Sequence, residues 1–215
     1  MIATYGHHSY GVLSDEVRQT NRPAAPAIEV GAAIGTAATA VAAFDAALRD
    51  LGVGDANLIR LSSVIPPQAT IERTRRVRKP IVWGDRLYCV YAAGYALEPG
   101  ARAAAGLGWT VQTDGSGAGL FVEHEGETAR EVDDLIHASL ADMTAGRPQH
   151  FGPVRTCTVE ARADRRPVCA LVLAAYATAG WGEATTGRAD TPVRGEAACV
   201  DTTGRWSAGP GRGRP

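Results

Sequence analysis

One run, Asn57-Leu58-Ile59-Arg60-Leu61-Ser62-Ser63-Val64-Ile65-Pro66-Pro67, constrains this chain more than any other stretch. β-Forming residues lead into two adjacent hydroxyls and are then halted by two prolines. Under the two-residue period of a strand, Asn57, Ile59, Leu61 and Ser63 share one face, and Leu58, Arg60 and Ser62 the other. A proline has no N–H to give to a ladder, so pairing ends just past the serines. Asn57 and Ser63 are six residues apart, which in a straight strand is roughly 20 Å at ~3.3 Å per residue. Groups that far apart cannot touch one small molecule from the same extended segment. Either the strand bends sharply, or the Asn57 of one subunit works beside the Ser63 of another; we favour the second.

The flanking elements follow from periodicity. Ile28-Glu29-Val30 starts a strand whose exit Gly31 and Gly35 bracket, and Thr36 is placed to cap a helix. Ala37, Ala40, Val41, Phe44 and Leu48 then recur at helical spacing, and Gly52 suits the left-handed position past the helix end. Residues 68–80, with Arg73, Arg75, Arg76, Arg78 and Lys79, read as a solvated connecting loop. Strands are expected over Arg86–Tyr95 and Ala103–Val111, with Glu98-Pro99-Gly100 between them, and from Gly119 through Glu123, ending in Glu123-His124-Glu125-Gly126. Thr128 to Ala145 carries Val132, Leu135, Ile136 and Leu140 at helical spacing, stopped by Gly146. Val154–Ala161 and Val168–Tyr176 flank a turn and form an expected hairpin. Strands and two amphipathic helices interspersed make the fold class α+β.

Charge and composition narrow the function classes. Lysines and arginines number 22 against 23 acidic residues, a net charge of −1, so nothing points to nucleic acid or an anionic membrane. No apolar run approaches the ~20 residues of a membrane helix, and the N-terminus lacks the order of a secretory signal. The four cysteines, Cys89, Cys157, Cys169 and Cys199, contain no C-x-x-C pair and read as reduced thiols of a cytoplasmic protein. Metal is not expected at His7-His8 or at Glu123-His124-Glu125, because neither has the further ligands or spacing a metal needs. Gly115-Ser116-Gly117 lacks the Gly-Lys-Ser/Thr ending of a phosphate loop.

The Asn57–Pro67 run, preceded by Phe44-Asp45-Ala46-Ala47-Leu48 and followed by Glu123-His124-Glu125-Gly126-Glu127-Thr128, resembles the pyruvoyl-dependent arginine decarboxylases from about Ile28 to about Trp181. The resemblance implies an αββα four-layer sandwich, a homotrimer, and active sites between subunits. It implies self-cleavage between Ser62 and Ser63, which turns Ser63 into a covalent N-terminal pyruvoyl cofactor. It assigns the proton donor to Glu123, and substrate binding to Asp45, Gly54 and Asn57. All of these residues but Gly54 have a chemical reason for their assignment. Only serine carries the β-hydroxyl that yields a pyruvoyl ketone by N→O acyl shift, elimination and hydrolysis. A carboxylate at Asp45 matches the planar guanidinium of arginine bidentately. Glu123 is placed to return a proton to the α-carbon once carbon dioxide has left an imine. The amide of Asn57 can donate to the oxyanion of self-cleavage or hold the substrate carboxylate, and both roles stay open.

The expected activity is therefore conversion of L-arginine to agmatine and carbon dioxide. Two alternatives remain: a pyruvoyl decarboxylase of another amino acid such as histidine, and an unprocessed trimeric scaffold without activity. The expected domain spans 26–182. Residues 1–25 read as a mobile leader, and 183–215, ending Gly-Pro-Gly-Arg-Gly-Arg-Pro, as a disordered tail.

Overall fold

The computed structural model describes residues 26–181; the expected leader, the tail, His7-His8 and Cys199 lie outside them. The elements run β1 (Ala27–Thr36), α1 (Ala40–Leu51), β2 (Asn57–Arg60), β3 (Val64–Ile65), β4 (Thr70–Arg73), β5 (Arg86–Ala96), β6 (Arg102–Val111), β7 (Gly119–Gly126), α2 (Ala129–Ala145), β8 (Arg155–Arg162) and β9 (Val168–Ala179). Two sheets form, a five-stranded one in the order β2-β5-β9-β1-β4 and a four-stranded one in the order β3-β7-β6-β8. Among the described residues the fold is α+β, with two helices and two sheets.

Strand alternation sorts the apolar residues into three clusters. On β9, Ala170, Val172, Ala174 and Tyr176 join Val90, Leu107, Trp109 and Phe121 in one cluster contributed by both sheets. Their neighbours Cys169, Leu171, Leu173 and Ala175 join Ala43, Ala47, Leu48 and Leu51 of α1 in a second. The third joins Leu120 and Val122 of β7 to Val132, Ile136 and Leu140 of α2. A strand buried on both faces reads as a continuous apolar run, as 168–176 does.

Several expectations change for physical reasons. β1 does not stop at its glycines but runs through both to Thr36, and Thr39, not Thr36, caps α1 by accepting from the Ala42 N–H at 3.2 Å. A Cβ at Gly35 would sit 1.9 Å from the Ala43 carbonyl oxygen and 2.4 Å from the Ala47 nitrogen, so this glycine exists to let helix backbone lie on strand backbone. The 68–80 segment is not wholly a loop: β4 pairs in parallel with β1 at its edge. Four of its five cations, Arg73, Arg76, Arg78 and Lys79, are engaged within the chain. Arg73 donates to the Thr156 carbonyl and stacks 5.5 Å from the Trp109 ring centre, and Arg76 donates to the carbonyls of Arg49 and Asp50 at the end of α1. Arg78 bonds Glu72 at 2.6 Å and Lys79 the Ala27 carbonyl at 2.6 Å. Strands β8 and β9 are not a hairpin, because they belong to different sheets, and residues 163–167 carry the chain between them. Period-2 patterning cannot distinguish a turn that closes a hairpin from one that changes sheets. No described helix is long and apolar enough to cross a membrane.

Candidate active site

The opening run does not continue as one strand. Strand β2 pairs with β5 through Arg60, and the Leu61 N–H makes a last link to the Cys89 carbonyl at 2.9 Å. The chain then leaves the five-stranded sheet and enters the four-stranded one, where Val64 pairs with Leu120 and Ile65 with Gly119. Ser62 and Ser63 are the crossing itself, so the run does bend, but without a hydrogen bond between Asn57, held on Gly84, and Ser63, held on Glu123. Ser63 turns it with φ of +65°, a left-handed conformation that costs a non-glycine residue about 1–2 kcal/mol.

Three contacts hold the turn. The Ser63 hydroxyl donates to Glu123 Oε1 at 2.5 Å, and the Phe121 N–H donates to the Ser63 carbonyl at 2.8 Å. The Tyr176 hydroxyl donates to the Val64 carbonyl at 3.2 Å. Phe121 and Glu123 share a face of β7, which places the carboxylate beside the apolar cluster between the sheets. β7 ends in Glu123-His124-Glu125-Gly126, as expected. Tyr176 reaches the turn from the other sheet, its ring against Phe121 at 6.1 Å with 61° between planes. Burial, and then the negative charge of Glu123, push its hydroxyl well above the usual phenol range. Sequence reasoning missed Tyr176. The available signal was a phenol closing an apolar strand, which needs a partner for its hydroxyl once buried.

The remaining candidates have partners of their own. Asp45 is exposed on α1, with Oδ2 2.9 Å from Nε of Arg49. Gly54 lies against the stem of that same arginine. Asn57 Nδ2 donates to the Gly84 carbonyl at 2.6 Å, which also accepts from Trp181 Nε1 at 2.7 Å. Among the described residues no hydrogen bond links Asp45 or Asn57 to Ser63 or Glu123. Nor does a cavity. One of about 210 Å³ is lined by Ile71, Trp109 and Arg155, and another of about 530 Å³ by His137, His150 and Phe151. Neither is lined by Asp45, Asn57, Ser63 or Glu123. Among the described residues no group of three or more His, Cys, Asp or Glu is arranged to hold a metal ion; His124 instead bonds Ser139 at 2.8 Å.

A family model described as pyruvoyl-dependent arginine decarboxylase matches residues 27–180. A Halobacterium salinarum protein of that name is 39% identical over 156 residues, covering 70% of this chain and 94% of its own length. Proteins of the same name from Thermococcus kodakarensis and Thermococcus sibiricus are 32% and 34% identical, covering 67% and 65% of this chain and 90% and 87% of theirs. From residue 27 to residue 180, then, this chain belongs to the pyruvoyl-dependent arginine decarboxylase family.

Proposed function

We propose that the chain cuts itself between Ser62 and Ser63 and that the cut protein converts L-arginine to agmatine and carbon dioxide. The observation that carries this reading is the Ser63 hydroxyl held 2.5 Å from the Glu123 carboxylate at a turn with positive φ. A serine hydroxyl is a weak nucleophile at neutral pH, and a carboxylate at hydrogen-bond distance gives its proton a place to go. Ser63 Oγ attacks the Ser62 carbonyl carbon, the Ser62–Ser63 amide breaks, and an ester forms with a free amine on residue 63. Loss of the α-hydrogen of residue 63 expels the Ser62 carboxylate. One water then replaces the nitrogen, which leaves as ammonia. The left-handed backbone at Ser63 is strain of the kind that such a rearrangement relieves.

The residues present fit a pyruvoyl group at position 63. That ketone supplies the carbonyl that takes up the substrate amine and the electron sink for loss of carbon dioxide. The protein supplies the rest. The Phe121 N–H, already on the carbonyl of residue 63, is a fixed donor where negative charge collects. Glu123 delivers the proton to the α-carbon. Asp45 takes the guanidinium, and the amide of Asn57, anchored through Nδ2 on Gly84, faces the substrate.

We read the three apolar clusters as the interior of four αββα layers, in one domain spanning 26–182, with 1–25 as leader and 183–215 as tail. Among the described residues no hydrogen bond joins Asp45 or Asn57 to Ser63, which supports a homotrimer in which one subunit's Asp45, Gly54 and Asn57 face its neighbour's residue 63. We place the protein in the cytoplasm.

Intact-mass measurement tests the cut. The expected result is two chains of 62 and 153 residues from the 215 of the sequence, the longer blocked by a ketone that borohydride reduces. Evolved carbon dioxide across a panel of amino acids tests the substrate. One uncut, carbonyl-free polypeptide would overturn the mechanism, and turnover of histidine with none of arginine would overturn the substrate.

A further inference from the structure

Asp45 and Gly54 are joined in the structure by a residue that neither the sequence reading nor the proposed mechanism uses. Arg49 follows Asp45 by one helical turn, and its Nε stands 2.9 Å from Asp45 Oδ2. Gly54 lies beneath the stem of the same side chain. A Cβ built there would meet Arg49 Cγ at 2.4 Å, its Cα at 3.1 Å and its N at 3.2 Å. Two of those atoms are backbone, so the missing side chain at Gly54 lets the last turn of α1 settle where it is. Arg76 Nη1 holds that turn by donating to the Arg49 and Asp50 carbonyls at 3.1 and 3.0 Å. The backbone of Arg49 is thus fixed, while its guanidinium rests on the carboxylate that the proposed mechanism gives to the substrate.

We propose that Arg49 sets the affinity for substrate by holding Asp45 until a second guanidinium displaces it, an inference that rests on Asp45 being the guanidinium ligand. The incumbent and the incoming group have the same chemistry, and one carboxylate cannot pair bidentately with both. The Arg49 and Asp45 side chains are 65% and 52% exposed, and an exposed pair one turn apart on a helix is weak enough to exchange readily. Displacement is completed when substrate binds, so its cost raises KM and leaves kcat alone. Arg49 therefore acts as a positioning residue, through Asp45, and not on the reacting atoms.

Arg49→Met in the self-processed protein tests the idea. The expected result is a KM for arginine about two- to fivefold lower at unchanged kcat. The calorimetric Kd for agmatine, which carries the same guanidinium, should fall by the same factor. Arg49→Gln is read identically should the methionine variant fail to accumulate. Asp45→Asn separates the two ideas. If it raises KM while the Arg49 variants leave KM and Kd unchanged or higher, the inference fails and the role of Asp45 stands. If KM is unchanged in Asp45→Asn, the ligand reading fails and takes this inference with it.

Discussion

Ser63 and Glu123, 60 residues apart in the chain, meet at 2.5 Å because the two-residue strand β3 is laid antiparallel against β7. The pairing of Val64 with Leu120 sets the register, and the Phe121 N–H then falls on the Ser63 carbonyl. Three functional atoms are positioned by backbone ladder bonds and one side-chain contact. A slip of one residue would turn Glu123 away from Ser63.

Glu123→Gln keeps an acceptor for the Ser63 hydroxyl but removes the group that takes up and returns a proton. Decarboxylation should fall at least about 100-fold in kcat with little change in KM, and self-cleavage should slow. Carbon dioxide release and the appearance of the shorter chains on a denaturing gel measure the two steps separately. Wild-type rates in both would remove Glu123 from the chemistry.

Tyr176→Phe deletes a hydroxyl and keeps the ring against Phe121. The Val64 carbonyl loses its side-chain donor, and stability should drop by about 1 kcal/mol in urea unfolding. An unchanged midpoint would mean that the 3.2 Å contact contributes nothing.

Gly35→Ala places a methyl against backbone atoms of Ala43 and Ala47, which cannot swing aside. We expect a loss of about 3 kcal/mol and a shift of α1 that carries Asp45 with it. Gly146→Ala, where a Cβ meets nothing within 4 Å, is the control and should cost no more than about 0.5 kcal/mol.

Alkali should destabilise the protein below the range where lysines titrate strongly. Burial pushes the Cys89 thiol from 9.0 up to about 12 and the Cys169 thiol from 9.0 up to about 11. Both folded-state values are raised, so the unfolded chain gives up its protons first. The stability is fully present below pH 9, falls from there as the unfolded thiols ionise, and stops falling once pH has passed the folded values of about 11 and 12. Urea midpoints measured from pH 8 to 11 should fall along the upper half of the series, and Cys89→Ala should flatten that fall. A level profile would contradict the burial of both thiols.

Much of this was legible in the sequence, for reasons that differ by element. The helix over 129–145 announced itself through Val132, Ile136 and Leu140 and through Thr128, whose hydroxyl accepts from the Glu131 N–H at its start. Ser62 and Ser63 stood out only through the resemblance that the whole Asn57–Pro67 run carries, since two hydroxyls before two prolines would otherwise read as turn punctuation. Hidden were the facts that depend on which sheet a strand joins. A turn such as 163–167 has the same composition whether it returns to its own sheet or crosses to another. Gly35 looked like a strand end because a glycine that accommodates a helix from above carries no local mark. Tyr176 was invisible as a site residue because its partner, Val64, is 112 positions away.

The strand order has a further implication for a molecule cut between Ser62 and Ser63. In the first piece β1 lies between β9 and β4, and β2 pairs only with β5, all strands of the second piece. The shorter fragment therefore has no sheet of its own: it is threaded through its partner like a zip with one tape missing. The two products of the cut should remain together until the whole sheet is dismantled. Once parted by denaturant, the shorter one should be unable to fold alone.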